Sequence, residues 1–354
     1  MDFKINTNYG EELDENDWIN ITNLVKNFSS KFTSKRSHNV NYYKNKLLKS
    51  PYGKSILTRI VNEKKECLGL LTLTKKSFKC SDDVKHSYEL GDVYIIQSLQ
   101  GKNLFKDMIK KSFNFITQNE KVDFIYATPN NLSIKGLTKN GFKVIKYDIF
   151  SKVLPLRIDF YFKHFLFKYP MKLLIGIYLF ILNIILKKNS KNDLINVEML
   201  NDLQELPDKN FYNHDIQQDR SKNYINWRFK NNPDEFKIYK VNHNKNYIGY
   251  TVFKDVKQNN IRSLYLADIS INKDYLNNIN SIISKILIDA NINQYAYVSM
   301  WLSKKSIFWK TLGSFFLFKL KKIPFIVKDY TIDESFYNID NKKIHFTLSD
   351  SDNI

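Results

Sequence analysis

Between Ser55 and Phe150 the spacing of apolar positions changes repeatedly, and each change marks an element. Ser55–Asn62 and Cys67–Lys75 are rich in β-forming residues around the polar break Glu63–Glu66, which predicts an antiparallel strand pair. Ser87–Ile96 reads as a third strand. From Asn103 to Gln118 the period becomes helical, with Leu104, Met108, Ile109, Ser112, Phe113 and Ile116 on one face and Asn119 near the stop. Val122–Thr128 predicts a short buried strand, Asn131–Asn140 a short helix closed by Gly141, and Phe142–Leu154 is extended again.

The same order returns further along. Phe236–Val241 and Asn246–Asp255 predict a strand pair, Ser263–Ile271 a third strand, and Tyr275–Ala290 a helix with Leu276, Ile279, Ile282, Ile283, Ile286 and Leu287 inward. Gln294–Leu302, Lys304–Leu312 and Phe315–Val327 follow as strand, helix and strand. Gly69, Asp92 and Gly141 find counterparts in Gly249, Asp268 and Gly313 at a separation that shrinks smoothly, as it does when one unit recurs with shorter loops. The expected fold is therefore α/β (α+β): two units, each a mixed, mostly antiparallel sheet flanked by helices. Residues 1–150 form the first unit, 151–190 a linker and 191–354 the second.

The linker stands apart in composition. Lys152, Arg157, Lys163, Lys168, Lys172, Lys187 and Lys188 face a single acid, Asp159, and the apolar run Leu173–Leu186 is 14 residues long. As a helix that run reaches about 21 Å, short of the roughly 30 Å hydrocarbon core, so a span is not expected. Two readings remain: a helix lying on an anionic leaflet, with Phe160, Phe162, Phe165 and Phe167 as apolar contacts, or a linker helix buried between the units.

A chain of 354 residues fits two ordinary domains, and 43% apolar residues exclude wholesale disorder. Lysines and arginines number 55 against 36 acids, for a net charge of +19, yet only six of the bases are arginine, the pattern of a lysine-rich solvated surface. Two cysteines, Cys67 and Cys80, cannot build a disulfide framework. The histidines show no paired metal-ligand spacing, so no metal is expected. The start of the chain has no apolar signal segment, and a cytoplasmic protein, peripheral to the membrane at most, is expected.

Candidate chemistry gathers in "GDVYIIQSLQGKNLFKDMIKKSF", a strand that passes through a short turn into a helix. Such a turn aims unpaired backbone N–H groups and the positive end of the helix dipole at one point, which suits a phosphate. Gly101 leaves room for an anion to approach the backbone, Lys102 adds charge, and Asn103 tolerates a left-handed conformation. An ordinary strand-to-helix connection has the same outline.

In this context Gln100-Gly101-Lys102-Asn103-Leu104-Phe105 resembles the pyrophosphate turn of the GNAT superfamily of acyl-CoA-dependent N-acyltransferases. "FIYATPN", "NLSIKGLTKN" and the pair Gly141-Phe142 follow at the family's distances. The likeness covers about Ser55–Lys146 and returns more faintly over Phe236–Val327, resembling tandem enzymes found with polysaccharide genes. It implies acetyl-CoA or another acyl-CoA as donor and an amine or amino-sugar acceptor. A carbonyl donor is implied on the strand at Tyr94, Ile95 or Ile96, a base at Asp92 or Glu89, and a pantetheine contact at Asn130. Glu89 and Asp92 are three apart, so they are expected on opposite faces of the strand with only one facing the cleft, and Asp92 is preferred.

Two departures are visible: Asn103 stands where the family has glycine, and Leu137 where many members have the tyrosine that protonates the thiolate. Ser133, Tyr126 or water is left for that proton. In the second unit "SINKDYLNNIN" replaces the turn, without glycine and with Asp274 near the helix start, so this unit is expected to shape the acceptor site instead. Arg220 and Arg228 suit forked recognition of an anion, and Trp227 could stack on a sugar. The same residues also suit internal salt bridges and a core. Rival readings are a peptidyltransferase of the Fem type using aminoacyl-tRNA, although nucleic acid is not the expected partner, and a non-catalytic scaffold at the membrane.

Overall fold

Strand-forming segments segregate into two sheets. The computed structural model describes residues 2–29, 39–81, 83–145, 148–157, 168–230, 232, 235–258, 261–290, 294–315, 318–331 and 342–351. The first sheet runs β1 (Phe3–Tyr9), β2 (Ile56–Asn62), β3 (Cys67–Cys80), β4 (Asp83–Ile95), β5 (Phe124–Ala127), β15 (Ile326–Asp329) and β6 (Lys143–Val144). At the far end of β3 it adds β9 (Ile216–Gln218), which carries β16 (Ile344–His345). The second runs β8 (Ile195–Met199), β10 (Glu235–His243), β11 (Asn246–Gln258), β12 (Ile261–Ile271), β13 (Tyr297–Ser303), β7 (Ile149–Pro155) and β14 (Phe318–Ile323).

The main runs of the two sheets match strand for strand, and in each the parallel contact is the central one, β4 with β5 and β12 with β13. Their next-to-last members are exchanged. Strand β7, from the first half of the chain, lies between β13 and β14, whereas β15, from the second half, lies between β5 and β6. The expected boundary at residue 150 therefore falls inside β7 and does not separate the sheets. Each exchanged strand is internal. Ile326 and Val327 of β15 and Val153 and Leu154 of β7 are buried away from water, so their backbone N–H and C=O groups need a sheet neighbour on either side.

Eight helices cover the sheets among the described residues: α1 (Glu15–Ser29), α2 (Val40–Leu48), α3 (Leu104–Asn119), α4 (Asn131–Lys139), α5 (Lys168–Ser190), α6 (Lys222–Ile225), α7 (Ile279–Asp289) and α8 (Trp309–Phe315). Helix α6 continues into a π-helical turn, Asn226–Lys230. Helix α3 buries Leu104, Met108, Ile109, Ser112, Phe113 and Ile116, the face set by its apolar spacing, against Ile56, Ile60, Leu71 and Leu73 of the first sheet. Helix α7 does the same on the second sheet from Ile279 to Leu287, while Leu276 lies in a preceding 3-10 turn and is only partly covered.

Within the linker, α5 packs Leu182 and Leu186 into the α7 core, and the Tyr178 hydroxyl donates to the Pro155 carbonyl at 3.0 Å. Phe160, Phe162, Phe165 and Phe167 lie outside the described residues. No helix among the described residues is long and apolar enough to cross a membrane.

Candidate active site

Strands β4 and β5 stay paired only at Ser87–Phe124, Tyr88–Ile125 and Glu89–Tyr126, and then diverge. Divergence coincides with a bulge in β4. Gly91 sits opposite Thr72 and Tyr94 opposite Leu70, so Asp92 and Val93 share one partner position, and Asp92 adopts φ 38°. The opening is a cleft of about 790 Å³. Residues Leu90–Ile95 form one wall and Ala127–Asn130 with α4 the other, while Phe28 of α1 and Tyr42, Tyr43 and Lys46 of α2 close the side. Sequence periodicity gives little warning of the α2 part of that wall, which reads VNYYKNKLL and has little apolar asymmetry, whereas Trp18, Ile21, Leu24, Val25 and Phe28 of α1 do recur at helical spacing.

Beside the cleft lies the turn into α3. Gly101 has φ 80° and Asn103 φ 60°, ψ 5°, the left-handed conformation the sequence required of it. An added Cβ at Gly101 would meet no protein atom within 4 Å, so the space over the turn is open. The Asn103 side chain makes no capping hydrogen bond, which leaves the first amides of α3 aimed outward. Gly101, Lys102 and Asn103 are exposed, and buried Leu104 anchors the helix start. Gln100 Nε2 donates to the Ile95 carbonyl at 2.9 Å, tying the turn to the strand. Phe105 packs on Gly136, where a Cβ would lie 2.6 Å from its ring, so α3 and α4 approach closely at the cleft mouth. The Ile96 N–H donates to the Leu68 carbonyl on β3 at 3.0 Å. Because successive strand amides point in opposite directions, the Ile95 N–H faces the cleft.

Both carboxylates foreseen as bases border the cleft, which corrects the expectation that only one could do so. The bulge breaks the alternation on which that expectation rested. Asp92 Oδ2 is 2.5 Å from Lys46 Nζ, a pair with side-chain exposures of 14% and 4%, and its Oδ1 lies 3.5 Å from the Tyr94 hydroxyl. Glu89 is enclosed at the cleft floor, with Oε2 3.1 Å from Lys76 Nζ. Tyr126 is fully buried behind the cleft floor, where its hydroxyl donates to the Asp350 carbonyl at 2.8 Å and lies 3.5 Å from Glu89 Oε2. Asn130 Oδ1 caps α4, accepting from the Leu132 and Ser133 amides at 3.0 Å each, and the Ser133 hydroxyl turns back onto the same oxygen. Leu137 is buried on the wall.

Arg220, Trp227 and Arg228 are not on this cleft. Arg220 is enclosed between the sheets: Nε donates to Asp268 Oδ1 at 3.1 Å, Nη1 to the Gln218 carbonyl at 2.9 Å, and Nη2 to both Asp350 oxygens at 2.9 and 2.7 Å. Burial opposes its charge, but Asp268 and Asp350 outweigh that and hold the guanidinium cationic. Trp227 Nε1 donates to the Asn45 carbonyl at 3.1 Å, and the indole packs against Tyr52 and Tyr224. Arg228 is buried and donates to the Ser351 carbonyl. The segment Leu348–Ser351 that these arginines hold is therefore internal. Thr347 and Asp350 close a capping box, and Ser351 Oγ lies 2.7 Å from Thr128 Oγ1 on the cleft wall.

In the second sheet the corresponding space is filled. Pairing of β12 with β13 ends at Leu266–Met300, and beyond it His345 Nε2 meets the Ile269 carbonyl at 2.9 Å, its ring stacked 4.7 Å from that of His214. His214 Nε2 accepts from the Ile307 amide at 3.1 Å, so the ring is neutral. Burial drives the His214 pKa down to about 3 and that of His345 well below its ordinary value. Burial likewise pushes the Cys67 and Cys80 thiols up to about 12, far from a reactive thiolate. No cluster of metal-ligating side chains occurs among the described residues.

Two matched sheets, each opening at a central parallel pair, with a glycine turn and a bare helix start beside one opening, define the fold of the GNAT-type N-acyltransferases. Solved structures with this fold include a GCN5-related N-acetyltransferase from Anabaena variabilis, with a TM-score of 0.60 and 11% identity over 94% of this chain and 74% of that one. A protein from Enterococcus faecalis described as a probable N-acyltransferase gives 0.62 and 8% over 94% and 74%. Saccharomyces cerevisiae N-myristoyltransferase with bound myristoyl-CoA gives 0.60 and 10% over 92% and 82%. No protein-family model and no curated protein matches the sequence. At such identities the likeness is one of fold.

Proposed function

We propose that the chain is an acyl-CoA-dependent N-acyltransferase that moves an acetyl or other acyl group to an amine by direct attack in a ternary complex. The observation that carries the reading is the coincidence, on one sheet only, of the β4–β5 opening with an uncapped helix start reached through left-handed Gly101 and Asn103. Backbone amides from Gly101 to Phe105, with Lys102, would hold the diphosphate. The pantetheine arm would run between β4 and β5 past Asn130 and Ser133. Where the thioester lies, the Ile95 N–H would donate to its carbonyl oxygen as negative charge develops.

The amine would enter along α1 and α2. Its nitrogen forms a bond to the thioester carbon, the carbon–sulfur bond breaks, and the thiolate leaves to be protonated by solvent, as a thiol of pKa about 8.5 allows. Asp92 would take the amine proton through Oδ1, directly or through water, while Lys46 fixes the carboxylate. Glu89, enclosed with Lys76, is the less accessible base. An amino-sugar nucleotide or another envelope polysaccharide precursor is the acceptor class we favour, on the aromatic and charged third wall of Phe28, Tyr42, Tyr43 and Lys46. Isothermal titration of acetyl-CoA and coenzyme A tests the donor site; folded protein that gives no heat with either overturns the proposal. A panel of amino sugars in a thiol-release assay then identifies the acceptor.

A further inference from the structure

Helix α5 has two apolar faces, and the fold covers one of them. Leu182 and Leu186 point into the α7 core. On the opposite side Leu173, Leu174, Ile177, Phe180, Ile181, Ile184 and Ile185 are 44–67% exposed. At about 100° per residue they fill an arc roughly 140° wide and about 18 Å long, with no polar residue inside it between Leu173 and Ile185. Seven large side chains so exposed match or exceed the roughly 300–600 Å² that is the largest apolar patch on an ordinary monomer.

Charge selects the occupant. The helix contains no acid, Lys187 and Lys188 are exposed in its last turn, and Lys188 falls within the same arc one turn beyond Ile184 and Ile185. Two copies of a chain of net charge +19 meeting through an acid-free helix repel, whereas an anionic leaflet attracts the lysines and accepts the stripe lying flat. We infer that the outer face of α5 is a peripheral membrane-binding surface that lies in the headgroup region of an anionic bilayer. Leu173, Leu174, Ile177, Phe180, Ile181, Ile184 and Ile185 insert below the headgroups and Lys187 and Lys188 contact them. This inference does not rest on the proposed catalysis.

Flotation of the full chain with vesicles of phosphatidylglycerol in phosphatidylcholine, against phosphatidylcholine alone, tests it. The chain floats with the anionic vesicles. A Phe180→Asp/Ile184→Asp variant loses about tenfold in bound fraction, and so does Lys187→Glu/Lys188→Glu, with the salt dependence removed. All four positions are exposed, so thermal melts matching the unaltered chain show that the fold persists. Absence of flotation overturns the inference, and equal recovery with neutral vesicles overturns its electrostatic part. A dimer in light scattering that the aspartate variant dissolves, without flotation, assigns the face to a second copy instead.

Discussion

Replacing Gly101 by alanine separates the cost of a backbone conformation from the cost to a ligand. At φ 80° an L-residue is held where glycine sits freely, at about 1–2 kcal/mol, of which the stiffer unfolded chain returns about 0.4–1 kcal/mol. The net loss is about 1 kcal/mol, a fall of a few degrees in Tm. The new methyl touches nothing in the protein, since an added Cβ has no neighbour within 4 Å, so any effect on binding comes from the ligand side. Displacing the diphosphate from one turn amide removes a charge-assisted hydrogen bond of about 1.5–3 kcal/mol, which weakens coenzyme A about 10-fold to 100-fold. Gly101→Glu, which adds a like charge, abolishes detectable binding. Gly53, at φ 123° and away from the cleft, provides the control: Gly53→Ala, whose methyl also meets the flexible Lys75 side chain, lowers Tm by at least as much and leaves affinity intact. Titration calorimetry paired with thermal melts reads both quantities. If Gly101→Ala binds coenzyme A with the unaltered dissociation constant, the amides of this turn do not hold the diphosphate.

Three further outcomes are expected. Asp92→Asn lowers kcat by about 10²- to 10⁴-fold and removes the acidic limb of the pH–rate profile while coenzyme A affinity holds; an unchanged profile excludes Asp92 as base. Arg220→Met leaves Asp268 and Asp350 facing each other without a cation and costs about 3–5 kcal/mol in urea unfolding, so a variant of unchanged stability contradicts the internal role of the arginine. His214 and His345 are held neutral, with folded pKa values lowered below the unfolded value near 6.5. Below that value the unfolded chain binds more protons, so the contribution of each is complete above about pH 6.5 and declines as pH falls below it, by about 1.4 kcal/mol per pH unit per histidine, and that of His214 is exhausted near pH 3. Urea midpoints should fall from pH 6.5 to pH 5, less steeply in His214→Gln; a slope identical in that variant excludes His214 as a source.

What was legible in the sequence is what short-range pattern encodes. The buried face of α3 and the inner face of α7 follow from apolar spacing alone, and the conformation of Asn103 follows from its place between a turn and a helix. Strand exchange was not legible, because β7 and β15 are both short apolar runs and nothing local says which sheet each joins. The wall has two parts of unequal legibility: Trp18, Ile21, Leu24 and Val25 of α1 recur at helical spacing and pack on β3 and β4, whereas the two adjacent tyrosines and the lysines of α2 give no clear face, and its burial arises on packing against α1. Arg220 is instructive in another way. A rare arginine in a lysine-rich chain did signal forked recognition of a carboxylate, but the carboxylate, Asp350, belongs to the same chain and lies 130 residues away. Asp92 was found by position, whereas its ion pair with Lys46 depended on a helix the pattern did not reveal.

The swapped strands make the two halves mutually dependent for their assembly. Fraying of the second sheet would pull β15 from beside β5, and with it a lateral support of the cleft wall that β5 begins. Splitting the gene after residue 150 would yield two polypeptides, each missing an interior plank and exposing raw backbone edges. The open cleft of the first sheet is therefore hostage to the integrity of the half that has no open cleft of its own.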